Sequence, residues 1–254
     1  MHKSPIKKVL LVSLSSIVIA NTVHASPKIK PTGLSLEWYQ QSLDLDVTKV
    51  DASIPGVPAS TLEAAKQQLS THNTVKVLNL KLDYQLHPYL NVFAAIGQVS
   101  NVTQVDFSKL NYGLSNFVQD NSGQTYTVGA TAVGQYGAWR PALHYAYSHL
   151  KLNGQDDDVV VHAVVPSIGR QTPYGEISAS FLYQDIDATY SGTINATAPV
   201  VGEVSVPVHI TTKNSNELHV MAGWQRKIGN DLYLKTSIGL NQHKQFQLQL
   251  NQRF

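Results

Sequence analysis

Apolar and polar side chains alternate along most of the chain. From Thr74 to Leu86, Leu78, Leu80, Leu82, Tyr84 and Leu86 take one parity, while Asn79, Lys81, Asp83 and Gln85 take the other. Successive side chains of a β-strand point to opposite faces, so this run has one greasy and one wet face. The rhythm recurs in Gly33–Ser42 (Leu34, Leu36, Trp38), Tyr89–Val99 (Leu90, Val92, Ala94, Ile96) and Gln124–Gln135 (Tyr126, Val128, Ala130, Ala132). It continues in Arg140–Lys151 (Leu143, Tyr145, Tyr147), Asp158–Gly169 (Val159, Val161, Ala163, Val165) and Gly175–Asp187 (Ile177, Ala179, Phe181, Tyr183). Asn216–Ile228 (Leu218, Val220, Ala222, Trp224), Leu232–Asn241 (Leu232, Leu234, Ile238, Leu240) and Gln245–Phe254 (Phe246, Leu248, Leu250, Phe254) complete the set.

Five large apolar groups opposite a polar row suit a barrel wall with lipid outside and water inside. The segments predict an all-β fold: a transmembrane, antiparallel, up-and-down β-barrel of about ten strands. The count is twelve if the stretch around Val204–Ile210 and a neighbour also span, and eight if the first strand and a partner fail. Connections at 87–88, 136–139, 170–174 and 229–231 are short, and those at 43–73, 100–123, 152–157 and 188–215 are mostly longer. Outer-membrane barrels show this asymmetry between periplasmic turns and extracellular loops. It puts outward Trp38, Tyr126, Tyr147, Tyr183 and Phe246 near the extracellular interface. Tyr84, Tyr136, Trp224 and Phe254 fall near the periplasmic one.

The long connections have content of their own. Residues 44–59 are turn-rich, with Pro55, Gly56 and Pro58, and a short helix is expected near 60–72, where Ser60 and Glu63 fit a capping box. Residues 100–123 carry Val105, Phe107, Leu110, Leu114 and Phe117, too apolar for a solvated loop, and are expected to pack at the lumen mouth. Within 188–215, Val204, Val206, Val208 and Ile210 alternate, which suggests a hairpin rising above the membrane.

Residues 1–25 read as a cleavable signal peptide: Lys3, Lys7 and Lys8 precede the apolar Val9–Ala20, and Val23-His24-Ala25 offers a small-x-small site. Twelve residues are too few for a membrane-spanning helix. Residues 26–254 would then be a single barrel domain with 16 basic against 17 acidic residues. That balance argues against a nucleic-acid partner, which wants a basic stripe. With no cysteine in the chain, disulfides and thiolate chemistry are excluded.

The terminal strand, closed by Phe254, resembles the last strand of a Gram-negative outer-membrane β-barrel. Phe246, Leu248, Leu250 and Phe254 are the residues that barrel-assembly machinery would read as its signal. Around Leu82–Phe93, and again at Leu182-Tyr183-Gln184-Asp185, the chain is similar to a family of poorly characterised outer-membrane barrels. The resemblance implies location in the cell outer membrane, with outer-membrane lipid and the assembly machinery as partners. It brings no catalytic residue.

Parity places Lys81, Asp83, His144, His162, Glu176, His219, Lys227, Lys235 and Arg253 on the lumen side, together with Glu37, Arg140, Ser148, Arg170, Gln184 and Glu217. These fit a packed polar interior with paired charges. The packed interior is the favoured reading; its alternative is a narrow water path for a small solute, whose mixed charge would make it weakly selective. An outer-membrane hydrolase acting on lipid or peptide at the lumen rim is the rival reading. It lacks a His-x-Ser pair after residue 26, and His144 and Ser148, four residues apart, stand about 13 Å from each other along a strand. His144, His162 and His219 lack the spacing of a compact metal motif. No catalytic, metal or cofactor site is expected. The function expected is non-enzymatic: a narrow pore or a surface binding or structural barrel, its solute or ligand unidentified.

Overall fold

The structure, a computed structural model, describes residues 30–52, 66, 69–107, 116–153, 159–198, 202–214, 218–240 and 244–254. The strands are β1 (Thr32–Ala52), β2 (Ser70–His87), β3 (Leu90–Asp106), β4 (Phe117–Val133), β5 (Trp139–Leu152) and β6 (Val159–Thr172), followed by β7 (Gly175–Ala198), β8 (Gly202–Asn214), β9 (Leu218–Lys227), β10 (Leu232–Gly239) and β11 (Lys244–Arg253). Ten close a ring in the order β1-β2-β3-β4-β5-β6-β7-β9-β10-β11. The seam is β11 on β1, antiparallel from Gly33↔Arg253 to Ser42↔Lys244. Closure leaves the ring without an unpaired edge, which strands in lipid require. Among the described residues no helix is long and apolar enough to cross a membrane.

The outer wall of the ring is apolar. Leu36, Leu80, Leu82, Ile96, Val128, Ile177 and Phe181 are exposed, while inward-facing Ser35, Glu37, Asp83, Thr125, Ser180 and Gln249 are buried. From Leu78 to Leu86 the band rises about 26 Å along β2 at roughly 3.3 Å per residue. A strand tilt of about 40° makes that roughly 20 Å of height, close to the apolar band of known barrels. Aromatic rings mark its edges. Trp38 and Phe246 touch at one rim, with centroids 5.5 Å apart. Tyr84, Tyr136 and Phe254 are exposed at the other. An even, closed, antiparallel ring with an apolar wall and a polar lumen is the architecture of an outer-membrane barrel.

The strands continue past that band, and their polarity reverses. On β1, outward Leu34, Leu36 and Trp38 give way to outward Asp44 and Asp46, and inward Ser35, Glu37 and Gln41 give way to inward Leu43, Leu45 and Val47. Leu43, Leu45, Val47, Val50, Leu69, Val99, Val105, Phe107, Phe117, Leu152, Val159, Val206, Val208 and Ile210 form one buried cluster. Val105, Val208 and Ile210 are 0% exposed. Asn73 is a buried polar inclusion beside it, donating to Asn101 Oδ1 and to Thr103 Oγ1, each at 2.7 Å.

A change in strand number makes this core possible. Beyond the band β9, β10 and β11 end, and β8 alone takes their place. It pairs with β7 from Asp187↔Lys213 to Ala198↔Gly202 and with β1 from Leu45↔Asn214 to Ala52↔Val208. Higher still β5 and β6 have ended, and β4 approaches β7, where Gln119 Nε2 donates to the Ser191 carbonyl at 3.2 Å. Fewer strands make a narrower tube, which side chains can fill.

Two expectations are revised. The connections at 43–73, 100–123 and 188–215 are largely strand: β1 runs on to Ala52, β3 to Asp106 and β7 to Ala198. The packing expected of Val105, Phe107 and Phe117, and the hairpin expected around Val204–Ile210, are both present, while Leu110 and Leu114 lie outside the described residues. The helix expected near 60–72 falls mostly outside the described residues; Leu69 joins the core and 70–72 belong to β2, because Thr71 faces inward on a continuing strand.

Ile210→Ala is expected to destabilise the outer half by about 2–5 kcal/mol, the cost of a large core truncation. Protease cleavage within 187–214 should begin at lower urea, while the membrane ring keeps its compact migration in unheated SDS. Unchanged resistance would mean that the core does not hold this half together.

Candidate functional site

The lumen of the ring gathers polar side chains from most of its strands, and many of them bind one another. Near the rim where the chain ends, Asp83 of β2 is only 4% exposed. Its carboxylate accepts from Arg253 Nη2 at 2.5 Å, Asn91 Nδ2 at 2.8 Å and Asn251 Nδ2 at 3.0 Å. Asn251 and Gln249 also donate to Ser35 Oγ, at 2.6 and 2.9 Å. The first and last strands of the ring are therefore tied through their inward faces as well as their backbones.

Deeper in, Lys81 pairs with Glu37, and Arg140 Nη1 donates to Glu176 Oε2 at 2.8 Å. Lys235 lies within electrostatic reach of Lys81, Glu37 and Glu176. The Lys81 ammonium sits 5.0 Å from the Phe93 ring centroid, and Phe93 stacks on His144 at 5.0 Å with 10° between planes. Gly129 makes room for that ring: a Cβ there would lie 2.3 Å from Phe93 Cζ. His144 Nδ1 is 2.8 Å from Thr131 Oγ1, and Ser148 Oγ is 2.8 Å from Thr127 Oγ1. Each of the two thus has its own partner on β4 and does not serve the other.

Above this lies a floor of amides. Tyr39 donates to Gln41 Oε1 at 2.5 Å, and Gln41 Nε2 donates to Gln184 Oε1 at 3.0 Å, joining β1 to β7 beneath the apolar core. Gln245 Nε2 lies 2.9 Å from Met221 Sδ.

Of the lumen candidates, Lys81, Asp83, His144, Glu176, Lys235 and Arg253 point inward as parity predicts, and His219 is buried at 1% exposure. His162 does not. It pairs with Tyr147 on the outer face, its ring is T-shaped to that of Tyr147 at 5.2 Å, and Tyr145 Oη lies 3.1 Å from its Nδ1. Arg170 is outward too, over the Trp139 ring at 5.4 Å. The parity of β6 is the reverse of that expected, with Val159, Val161, Ala163 and Val165 facing in. Valines occupy both parities there, so the alternation carried little contrast, and the pairing His144↔Val165 sets the face. With His162 turned to lipid, the three histidines do not converge. Lys227 is half-exposed at the turn, bonded to Asp231 Oδ1 at 2.8 Å. Asp231, which adopts φ 59°, is held below the usual carboxylate range by its hydrogen bonds from Lys227 and Lys30. Glu217 lies outside the described residues.

The sequence reading missed one Ser–His contact, Ser191 Oγ to His209 Nδ1 at 2.8 Å, on the exposed outer face of the β7–β8 hairpin. The two are directly opposed cross-strand partners, a geometry that by itself brings side chains together. Among the described residues no carboxylate contacts His209 to orient it as the third group of a catalytic triad would.

No protein-family model matches the chain, and no characterised protein matches its sequence. Solved structures of similar shape include the outer membrane protein OprG from Pseudomonas aeruginosa, 10% identical over 89% of this chain and 98% of that one, with a TM-score of 0.45. The transport unit of the autotransporter AIDA-I from Escherichia coli is 10% identical over 91% and 93%, with a TM-score of 0.39. The Pseudomonas putida toluene transporter TodX is 12% identical over 89% and 88%, with a TM-score of 0.34. At these scores none bears on what this barrel does.

Asp83→Asn is expected to lower the barrel's stability by about 3 kcal/mol, because it leaves Arg253 without its buried counter-charge. The midpoint of the heat-dependent SDS mobility shift should fall, and Asp83→Asn with Arg253→Gln should fall by less than the two single losses added. Additive losses would show that the pair does not act as a unit.

Proposed function

We propose that the protein is a non-enzymatic, integral outer-membrane barrel that works as an anchored surface structure rather than as an open pore. The observation that carries this reading is the apolar core across the extracellular end, whose innermost side chains are inaccessible to water. A continuous path must be wetted along its length, and an apolar constriction gates by excluding water. Here the constriction is a packed core extending over several rows of residues. The lumen beneath it is polar, but its described acids are each bonded to a cation, as a filled small barrel requires. Outside, the long strands of β1–β4 and the β7–β8 hairpin carry polar side chains into the medium. They give a rigid platform on which a surface ligand could be held.

The non-enzymatic part of the proposal rests on geometry. The Ser191–His209 contact lacks an orienting acid among the described residues, and His144 is engaged by Thr131 and Phe93. Rim hydrolysis would need a nucleophile, its base and an orienting group in one place.

Purified protein, with insertion verified by its heat-dependent mobility, is expected to give no stepwise conductance in a planar bilayer at moderate voltage. Regular conductance steps from the unmodified protein would overturn the anchored-platform reading in favour of a pore. Hydrolysis of labelled phospholipid or peptide, abolished by Ser191→Ala, would overturn its non-enzymatic part.

A further inference from the structure

The line at which the outer wall changes solvent carries a particular set of residues. Register aligns Trp38↔Leu78, Leu78↔Gln98, Gln98↔Gln124 and Gln124↔Lys151 across β1 to β5. Trp38 and Leu78 are the last members of the apolar band. In register with them, outward and exposed, stand Gln98, Gln124 and Lys151, and Lys76 stands one outward position beyond Leu78. A groove of about 630 Å³ follows this line and is lined by all six side chains. Among the described residues neither Lys76 nor Lys151 has an ion-pair partner. The outward acids nearest on these strands, Asp44 and Asp120, lie two rows farther from the membrane than Gln40 and Gln124, about 13 Å along a strand. Among the described residues of these strands, cations therefore stand along this line and the nearest outward carboxylates two rows outside it; Asp156, Asp157 and Asp158, which follow Lys151 in the sequence, lie outside the described residues.

We propose that this groove seats the phosphate-bearing headgroup of a lipid in the outer leaflet. Lys76 and Lys151 supply its charge contacts, Gln98 and Gln124 supply amide donors, and Trp38 lies against the upper part of an acyl chain. The ammonium groups stand on separate strands of one sheet face, with the amides between them, which suits a group with several acceptor oxygens. The lower wall of the groove is Trp38 and Leu78, surface that an acyl chain covers and a dissolved anion does not. Membrane surfaces also concentrate the interaction, since each lysine near an anionic surface adds a favourable increment. The inference depends on where the apolar band ends and not on whether the barrel conducts.

The test uses Trp38 as the reporter, in full-length protein carrying Trp139→Phe and Trp224→Phe. The protein is refolded into phosphatidylcholine vesicles containing phosphatidic acid with brominated chains, whose bromines quench nearby indole. Quenching of Trp38 is expected to show phosphatidic acid enriched roughly thirtyfold over its mole fraction, the factor that two interfacial lysines together provide. Lys76→Gln with Lys151→Gln should return quenching to the bulk mole fraction. Lys76→Arg with Lys151→Arg should keep the enrichment and, with the same compact SDS mobility, serve as the folding control. Millimolar inorganic phosphate in the buffer should leave it unchanged. Quenching that follows the mole fraction in the starting protein, or enrichment that survives the glutamine pair, would overturn the proposal. Loss of enrichment on adding inorganic phosphate would overturn the lipid assignment and make the groove a site for a dissolved anion.

Discussion

Each long strand of this barrel passes from one solvent into another, and its side chains have to answer to both. In lipid the backbone must be paired all round and the outer row apolar, which leaves the inner row for polar groups. In water the outer row must be polar, and the apolar side chains find cover only inside. A strand cannot change face without a bulge, so the sequence changes instead. β1 does this between Gln41 and Leu43, where polar residues on the inward parity give way to leucines. β2 does it between Lys76 and Leu78 on the outward parity. The aligned residues Trp38, Leu78, Gln98, Gln124 and Lys151 trace this change across the sheet.

The same change explains what could be read in advance. The ten-strand ring was legible because Leu78, Leu80, Leu82 and Leu86 repeat on one parity against polar partners, and because a closed barrel is the structure that satisfies such strands in lipid. The outer half was harder to see. Leu43, Leu45 and Val47 sit on the parity that carries Ser35 and Glu37 lower down, so a reading that follows one face through the strand finds only a broken pattern and infers a loop. Val206, Val208 and Ile210 were visible as a hairpin, but their role in closing the tube depends on β8 pairing with β1, across more than 150 residues of sequence. On β6 the signal itself was weak, since valines on both parities left the facing of His162 to be decided by the neighbouring strand.

Strand number links the two halves to function. Ten strands leave a lumen broad enough to need polar side chains and their pairs: Glu37 with Lys81, Asp83 with Arg253 and Glu176 with Arg140. Replacing β9, β10 and β11 by β8 draws the wall inward until Val99, Phe107, Val208 and Ile210 form one core. The amide contact of Gln41 with Gln184 lies beneath that core and joins strands that the lower ring keeps apart. The result is a polar chamber under a dry lid, with the lid and the membrane wall made of the same strands.

A spin-label scan of β1 from Leu34 to Val50 would test this most directly, with accessibility to oxygen and to a water-soluble nickel chelate measured at each position in lipid vesicles. The account predicts oxygen accessibility at 34, 36 and 38, chelate accessibility at 44, 46 and 48, and protection from both reagents at 43, 45 and 47. Chelate reaching 43, 45 and 47, or oxygen accessibility continuing through 44 and 46, would contradict it.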